Sequence, residues 1–272
     1  MRISARIPVA AALLLVLAST MGCKKLQERD KLVKGINEFK AGRYETAINF
    51  FQEAVAIDPS DSMAQLYLAT AYSYQVVPNL DTPENLKVAQ KALDGFNKVL
   101  AQDPNDLGAL KQVASIHRNI KLYDQAKADE MKVIAIDPKD AEANYTIGVI
   151  DWTQSYKNAT TILGAAGLTD DGEGNVKMSK DVCAKLSAAN TALVTDGMTY
   201  LNNAVQINPN YDDAMQYLNL NYRRKADLEC GNDSARKADL AQADMWVQKA
   251  TGARKANEAA KEKKLGGGVS MQ

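Results

Sequence analysis

The side chains that could do chemistry are few. The chain has three cysteines, Cys23, Cys183 and Cys230, and one histidine, His117. A zinc site needs several His, Cys or carboxylate ligands at short spacings. A lone histidine, and two cysteines 47 positions apart (230 − 183), do not provide them. No serine, lysine or cysteine has a recognisable base beside it, so no activated nucleophile is legible. The glycine clusters GAAGL and GEGN lack the strand-to-helix setting of a phosphate-cradling loop. The stretch DDGEGN, Asp170 to Asn175, is only superficially like a calcium loop. Such loops alternate their oxygen ligands, whereas here two aspartates are adjacent and glycines interrupt, which reads as a turn. The residue types predict no enzyme, no metal and no cofactor.

Composition narrows the rest. The 272 residues include 33 basic and 33 acidic side chains, a zero net charge. A nucleic-acid surface needs a basic excess to displace counterions, so nucleic acid is not an expected partner. Aromatic content is only 6%, alanine is plentiful and no alternating β-branched run is present, which predicts helices. The first residues do not belong to the fold. MRISAR carries Arg2 and Arg6, and an apolar run from Ile7 to Ala18 follows. A basic start, a short apolar run and small residues read as a secretory signal, and the run is short of the roughly 20 residues that span a bilayer. Its end, STMGC, resembles a bacterial lipobox in Gly22 and Cys23, while Thr20 and Met21 are looser fits. The resemblance implies cleavage before Cys23 and acylation of that residue. Ordinary secretion is the alternative. Residues 1–22 are then a signal peptide and 23–30 a polar tether, KKLQERDK following the lipid. Lys24, by the enteric sorting habit, points to the outer membrane.

The elements that position everything else recur. RYETAINFFQEAVAIDP ends at Pro59, AQKALDGFNKVLAQDP at Pro104, YDQAKADEMKVIAIDP at Pro138 and MTYLNNAVQINP at Pro209. Pro104 and Pro138 lie 34 residues apart (138 − 104); the other gaps are 45 (34 + 11) and 71 (34 + 37). Small and aromatic residues keep a helical spacing before each proline: Ala47, Phe51 and Ala54; Ala92, Phe96 and Val99; Tyr123, Ala126 and Val133; Leu201 and Ala204. A period of about 34 with two small residues and a terminal proline resembles the tetratricopeptide repeat. The resemblance implies an all-α, helical-hairpin solenoid, a right-handed superhelix, in which Gly35, Ala69, Tyr72, Ala114, His117, Gly148, Leu218 and Tyr222 lie on first helices. The units are 28–61, 62–106 with an insertion, 107–140, 141–211 with a long insertion at about 154–185, and a degenerate 212–264, whose second helix offers Ala243, Val247 and Ala250 and runs into the polar capping helix ARKANEAAKEKK. Residues 265–272 are a flexible tail. The residue before a proline is pushed out of the helical region, so each proline ends a helix. Ser60, Asp61, Asp106, Asp140 and Asp212 then stand ready to cap the next.

In the fourth unit, Val182, Leu186, Ala189, Leu193, Gly197, Leu201 and Ala204 share one stripe. They predict a lengthened second helix from about Ser179 to Ile207, and so a helical hairpin projecting from the solenoid. A hidden extra repeat is the rival reading, since 71 is near twice the period, but no Asp-Pro falls inside the gap. The family geometry puts the insertions carrying Cys183 and Cys230 on the same edge. It thereby implies a Cys183–Cys230 disulfide pinning the hairpin to the last unit; two buried free thiols are the alternative. Asp151 and His117 occupy places where the family usually has an aromatic, and both read as hydrogen-bonded local departures. The first helices would line a concave groove with Tyr74, Lys111, Ser115, Arg118, Tyr145, Val149, Trp152, Gln216, Leu220 and Arg223, along with Leu32, Ile36 and Phe39. Trp152 and Tyr156 either bind a partner or pack the hairpin. The implied function is a lipid-anchored scaffold of the bacterial envelope that binds proteins or peptides in this groove. A structural subunit of an envelope assembly acting through the hairpin is the alternative, and a small-molecule-binding or catalytic lipoprotein a third.

Overall fold

A computed structural model describes the backbone of residues 9–266 and the side chains of 24–263. The start of the expected signal peptide, the side chain of Cys23 and the final residues 267–272 lie outside the described residues. Ten α-helices and no strand occur among the described residues: α1 Val9–Lys40, α2 Tyr44–Ile57, α3 Ser62–Ser73, α4 Pro83–Gln102, α5 Leu107–Asn119, α6 Tyr123–Ile136, α7 Ala141–Ala165, α8 Lys180–Ile207, α9 Asp212–Ala226 and α10 Asp233–Gly266. None of these helices is long and apolar enough to cross a membrane among the residues described. The chain divides into two compact units, one ending at Asp129 and one beginning at Glu130.

In the first unit α1 packs on α2 and α3 on α4, and the successive first helices α1, α3 and α5 also meet. The stripe of α2 explains the pairing. Ala47, Phe51 and Ala54 are fully buried, and a Cβ on Gly35 of α1 would collide with the Phe51 ring. Helix axes can approach this closely only where one side presents no side chain and the other fills the gap. Phe96 is likewise buried on α4, with Ala89, Ala92 and Leu93, and Gly95 beside it lets α4 approach Ala69 of α3. The second unit follows the same rule. There α7 packs on α8, α9 on α10, and both α7 and α8 touch α9. Gly148 of α7 faces buried Leu201 of α8.

Turns between units are built from polar side chains as well as proline. Asp58, Asp103, Asp137 and Asn208 each accept the backbone N–H two residues on, from Ser60, Asn105, Lys139 and Asn210. Three residues after each aspartate the next cap stands: Asp61, Asp106 and Asp140 each accept first-turn amides of the following helix. Two expected caps are corrected. Ser60 instead donates its hydroxyl to Asp58. Asp212 is the first residue of α9, and Tyr211 precedes it without a side-chain cap.

The second arm of the hairpin, α8, has the expected limits, with Ser179 capping it by accepting from Val182 N–H. Its stripe is shifted. Cys183, Asn190 and Val194 are buried, whereas Ala189 and Leu193 are half-buried. The helix must face both α7 and α9, so its buried arc is wider than a line of apolar residues marks. Lys24–Asp30, expected as a tether, are helical within α1, and Glu28 there is buried, which pushes its carboxyl up. Leu32, expected in the groove, is buried in the core, and Ile36 and Phe39 pack against it half-buried.

Two substitutions test this packing by urea denaturation. Phe51→Ala is expected to lower stability by about 3–5 kcal/mol, the usual cost of removing a buried ring. Gly35→Ala is expected to cost about 1–3 kcal/mol by overpacking against that ring. An unchanged midpoint for either would contradict the close approach of α1 and α2.

Candidate functional site

The face made by first helices differs between the units. In the first, Tyr74 at the end of α3 is 58% exposed and lies edge-on to Phe39 (5.1 Å between centroids) and against Tyr44 (5.2 Å). Lys111, Ser115 and Arg118 are half-buried along α5. His117 is half-buried, its Nδ1 hydrogen-bonded to Asp129 Oδ2 at 2.8 Å, a packed histidine.

In the second unit the aromatic residues form a connected strip on α7, α9 and the residue just before α9. Tyr211 meets Tyr145 (5.0 Å), Tyr145 meets Tyr217 edge-on (5.7 Å), Tyr217 meets Trp152 edge-on (5.4 Å), and Trp152 stacks on Tyr156 (5.2 Å). Such contacts hold rings at defined angles, each adding about 0.5–1.5 kcal/mol beyond area burial. Trp152 is half-buried against these neighbours, while Tyr156 beside it is exposed. The indole Nε1 of Trp152 is buried without a hydrogen-bond partner among the described residues. Tyr211 has its phenol pushed up to about 12 by burial first and then by Glu142, Asp213, Asp140 and Asp212. Val149, Gln216 and Leu220 are half-buried on the same two helices. Tyr211 and Tyr217 were not foreseen, because only packing against Tyr145 of α7 brings the residue before α9 and one within it into a single strip.

Arg223 has another task. Its guanidinium donates to Asn219 Oδ1, to Asp244 Oδ1 and to the Gly172 carbonyl, at 3.0–3.1 Å. It therefore spends its donors within the protein, one of them on the loop between α7 and α8. Arg224, only 4% exposed, does the same from the buried side: Nη2 donates to Asp170 at 2.7 Å and Nη1 lies 2.9 Å from Asp227. Asn175 donates to Asp227 at 2.9 Å, and Arg236 donates to the Glu173 carbonyl at 2.8 Å. Cys183 of α8 and Cys230 of the α9–α10 turn are joined by a disulfide, with Cα atoms 5.8 Å apart.

The stretch DDGEGN is thus the docked tip of the hairpin. Asp170 and Asp171 accept amide hydrogens of their own loop, from Gly172 and from Glu173 and Asn175. Gly172, Gly174 and Asn175 take positive φ of 65°, 92° and 47° there. The carboxylates of Asp170, Asp171 and Asp227 come within 4.8 Å of one another. The Arg224 guanidinium already supplies the opposing charge to two of them, so the cluster is an internal ion network. Burial pushes the Asp227 carboxyl up to about 6, only partly offset by Arg224 and Asn175. Burial also opposes ionisation of Asp170, but its bond and charge pairing with Arg224 win and hold it below the usual range.

The deepest carboxylate is elsewhere. Asp151 is fully buried where α7, α8 and α9 meet, its Cβ 3.2 Å from where a Gly197 Cβ would stand. Ser155 and Asn190 are buried nearby, Asn190 donating to the Ser155 carbonyl at 2.9 Å. This polar seam carries the departure from an aromatic at position 151 into the core.

These features define an all-α protein of stacked helical hairpins with a partly exposed aromatic face. More specifically, the fold is of the tetratricopeptide-repeat type. A family profile described as tetratricopeptide repeat matches residues 36–61. Among solved structures, the chain is similar to a MamA double mutant designated RS-1 (TM-score 0.55, 17% identity, covering 86% of this chain and 97% of that one). It is similar to MamA from Desulfovibrio magneticus RS-1 (0.52, 18%, 82% and 95%). It is also similar to YrrB, described as a TPR protein with an unusual peptide-binding site (0.50, 13%, 83% and 90%). At such identities the likeness shows the fold alone. A curated relative, the DnaJ homolog subfamily C member 7 homolog of Schizosaccharomyces pombe, is 31% identical over 110 residues, 40% of this chain and 21% of that protein. The chain thus matches about a fifth of that relative's length.

The ion network predicts a pH dependence. A carboxyl raised from 3.8 to about 6 on folding binds its proton more tightly in the native state. Its contribution to stability is present below pH about 4 and is lost as pH rises through about 6. Asp170 acts in the opposite sense and only at lower pH, where its depressed group protonates. Between pH 4 and 7, the wild type should therefore lose on the order of 2 kcal/mol more stability than Asp227→Asn, measured by urea titration at each pH. Parallel pH profiles would show that Asp227 ionises normally.

Proposed function

We propose that this chain is a lipid-anchored scaffold of the bacterial cell envelope that binds protein or peptide segments through the faces of its first helices. The repeat fold supports a protein-interaction role, since helical-hairpin repeats present extended faces for partners. The observation that carries the reading is the aromatic strip from Tyr145 to Tyr156. Trp and Tyr dominate binding hot spots because they offer large contact area at little rotamer cost. In this reading Tyr145, Val149, Trp152, Gln216 and Leu220 form the contact face of the second unit, with Arg223 fixing its edge. Tyr74, Lys111, Ser115 and Arg118 form that of the first. The peptide-binding site named for YrrB is in keeping with such a role. Docking uses a preformed surface, as for an extended segment or helix entering a groove. The anchor is the acylated Cys23, the sequence pattern at STMGC being its support, and the location is the periplasmic side of the outer membrane.

Crosslinking in intact envelopes tests the contact face. Trp152→Ala is expected to reduce partner recovery about tenfold or more, with the thermal midpoint recorded to separate binding from folding. Deleting Thr169 to Met178, which also frees Arg224 from Asp170, should reduce recovery less than Trp152→Ala does. Recovery that survives Trp152→Ala but not the deletion would overturn the groove in favour of the hairpin tip. Intact mass of detergent-extracted protein is expected to show cleavage before Cys23 and added acyl chains, and an unmodified Cys23 would remove the anchor.

A further inference from the structure

The disulfide joins two unequal sulfurs. Cys183 is buried in the first turn of α8, while Cys230 is exposed on the α9–α10 turn. Beside the bond is an open cavity of about 300 Å³, lined by both cysteines, Val176, Met178 and Arg236. A reductant therefore has room to reach Cys230. The other contacts holding the tip, Asp170 to Asn175, are polar: Arg224 to Asp170, Arg223 to Gly172, Arg236 to Glu173 and Asn175 to Asp227. The helix ends beneath have separate support. Ala159, Leu163 and Leu186 are fully buried, with Leu168, Met178 and Leu228 packed on them. Loss of the covalent bond thus loosens the tip and leaves the hairpin packed.

The tip also reaches the aromatic strip. Asp170 holds Arg224, whose guanidinium carbon lies 5.8 Å from the Tyr156 ring centre, and Tyr156 stacks on Trp152. We propose that the Cys183–Cys230 bond is a redox latch on the hairpin tip, opened by a dithiol, and that its opening loosens the Arg224–Tyr156–Trp152 stack. The inference stands on this geometry, whichever partner the aromatic face takes.

The exchange balances. One thiolate of the dithiol attacks Cys230 Sγ, the disulfide breaks, and Cys183 leaves as a thiolate that takes up a proton. The second sulfur of the dithiol, deprotonated, then attacks its own mixed disulfide and displaces Cys230, which is protonated in turn. The dithiol loses two electrons and two protons and becomes a disulfide, and the two cysteines gain both.

Hydrogen exchange read by mass spectrometry on the full chain, oxidised and treated with dithiothreitol, tests the latch. Reduction is expected to speed exchange of residues 169–178 roughly tenfold or more, while the middle of α7 and α8 changes by less than about twofold. In a Trp246→Phe background, where Trp152 is the remaining tryptophan, reduction should shift its emission. The Cys183→Ser/Cys230→Ser double variant should reproduce both changes without reductant and respond to none. A bond that resists dithiothreitol in the folded protein overturns the proposal. So does tip exchange that stays within about twofold on reduction, loss of protection throughout α7 and α8, or an emission spectrum indifferent to the bond.

Discussion

The structure depends on close approach between paired helices, where a residue without a side chain on one faces a large apolar side chain on the other. Gly35 against Phe51 and Gly148 against Leu201 are the two plainest cases. Buried side chains in such a seam gain transfer free energy and dispersion together, because the gap closes without a void. A single amphipathic helix of this length is marginal alone, so stability comes from what the neighbour covers. The small aromatic content follows from this. Rings fill the seams of the first unit, Phe51 and Phe96, and a leucine fills that between α7 and α8.

Between seams the chain must turn sharply without stranding backbone groups. An aspartate or asparagine closes one helix and accepts the amide two residues on, proline blocks continuation, and in three of the turns an aspartate three residues later caps the next helix. One or two orphan amides of each of these following helices thus get a local acceptor, and the turn geometry is set by residues within reach of one another. The fourth turn, at Asn208, differs. Asp212 there lies within α9 and is held by Arg254 of α10 at 2.9 Å, so tertiary pairing replaces the local cap.

The second unit departs most from a plain hairpin stack, and the departure is polar. A long α7–α8 hairpin would leave its tip in solvent. Instead a network of Arg223, Arg224 and Arg236 draws the tip onto the α9–α10 turn, where the disulfide fastens it. Buried ion groups such as Arg224 with Asp170 and Asp227 repay their desolvation only when every partner is in place. That requirement makes the tip position specific, and it ties the loop to the aromatic residues on the other side of Arg224.

The sequence by itself determined the helical class, the proline-closed ends of α2, α4, α6 and α8, and the limits of α8. Each rests on periodicity, capping or proline, which act over a few residues. It also indicated the Cys183–Cys230 pairing, because repeat geometry puts the two insertions on one edge. Tertiary structure decided which carboxylates pair with which arginines, that Arg223 serves the loop, and that Tyr211 and Tyr217 complete the aromatic strip. It likewise turned the stripe of α8 toward Asn190 and Val194 and carried Leu32 into the core. These outcomes depend on contacts between segments far apart in the chain, whose side chains compete for the same buried space. A periodic pattern reports that a face is covered, but not which neighbour covers it.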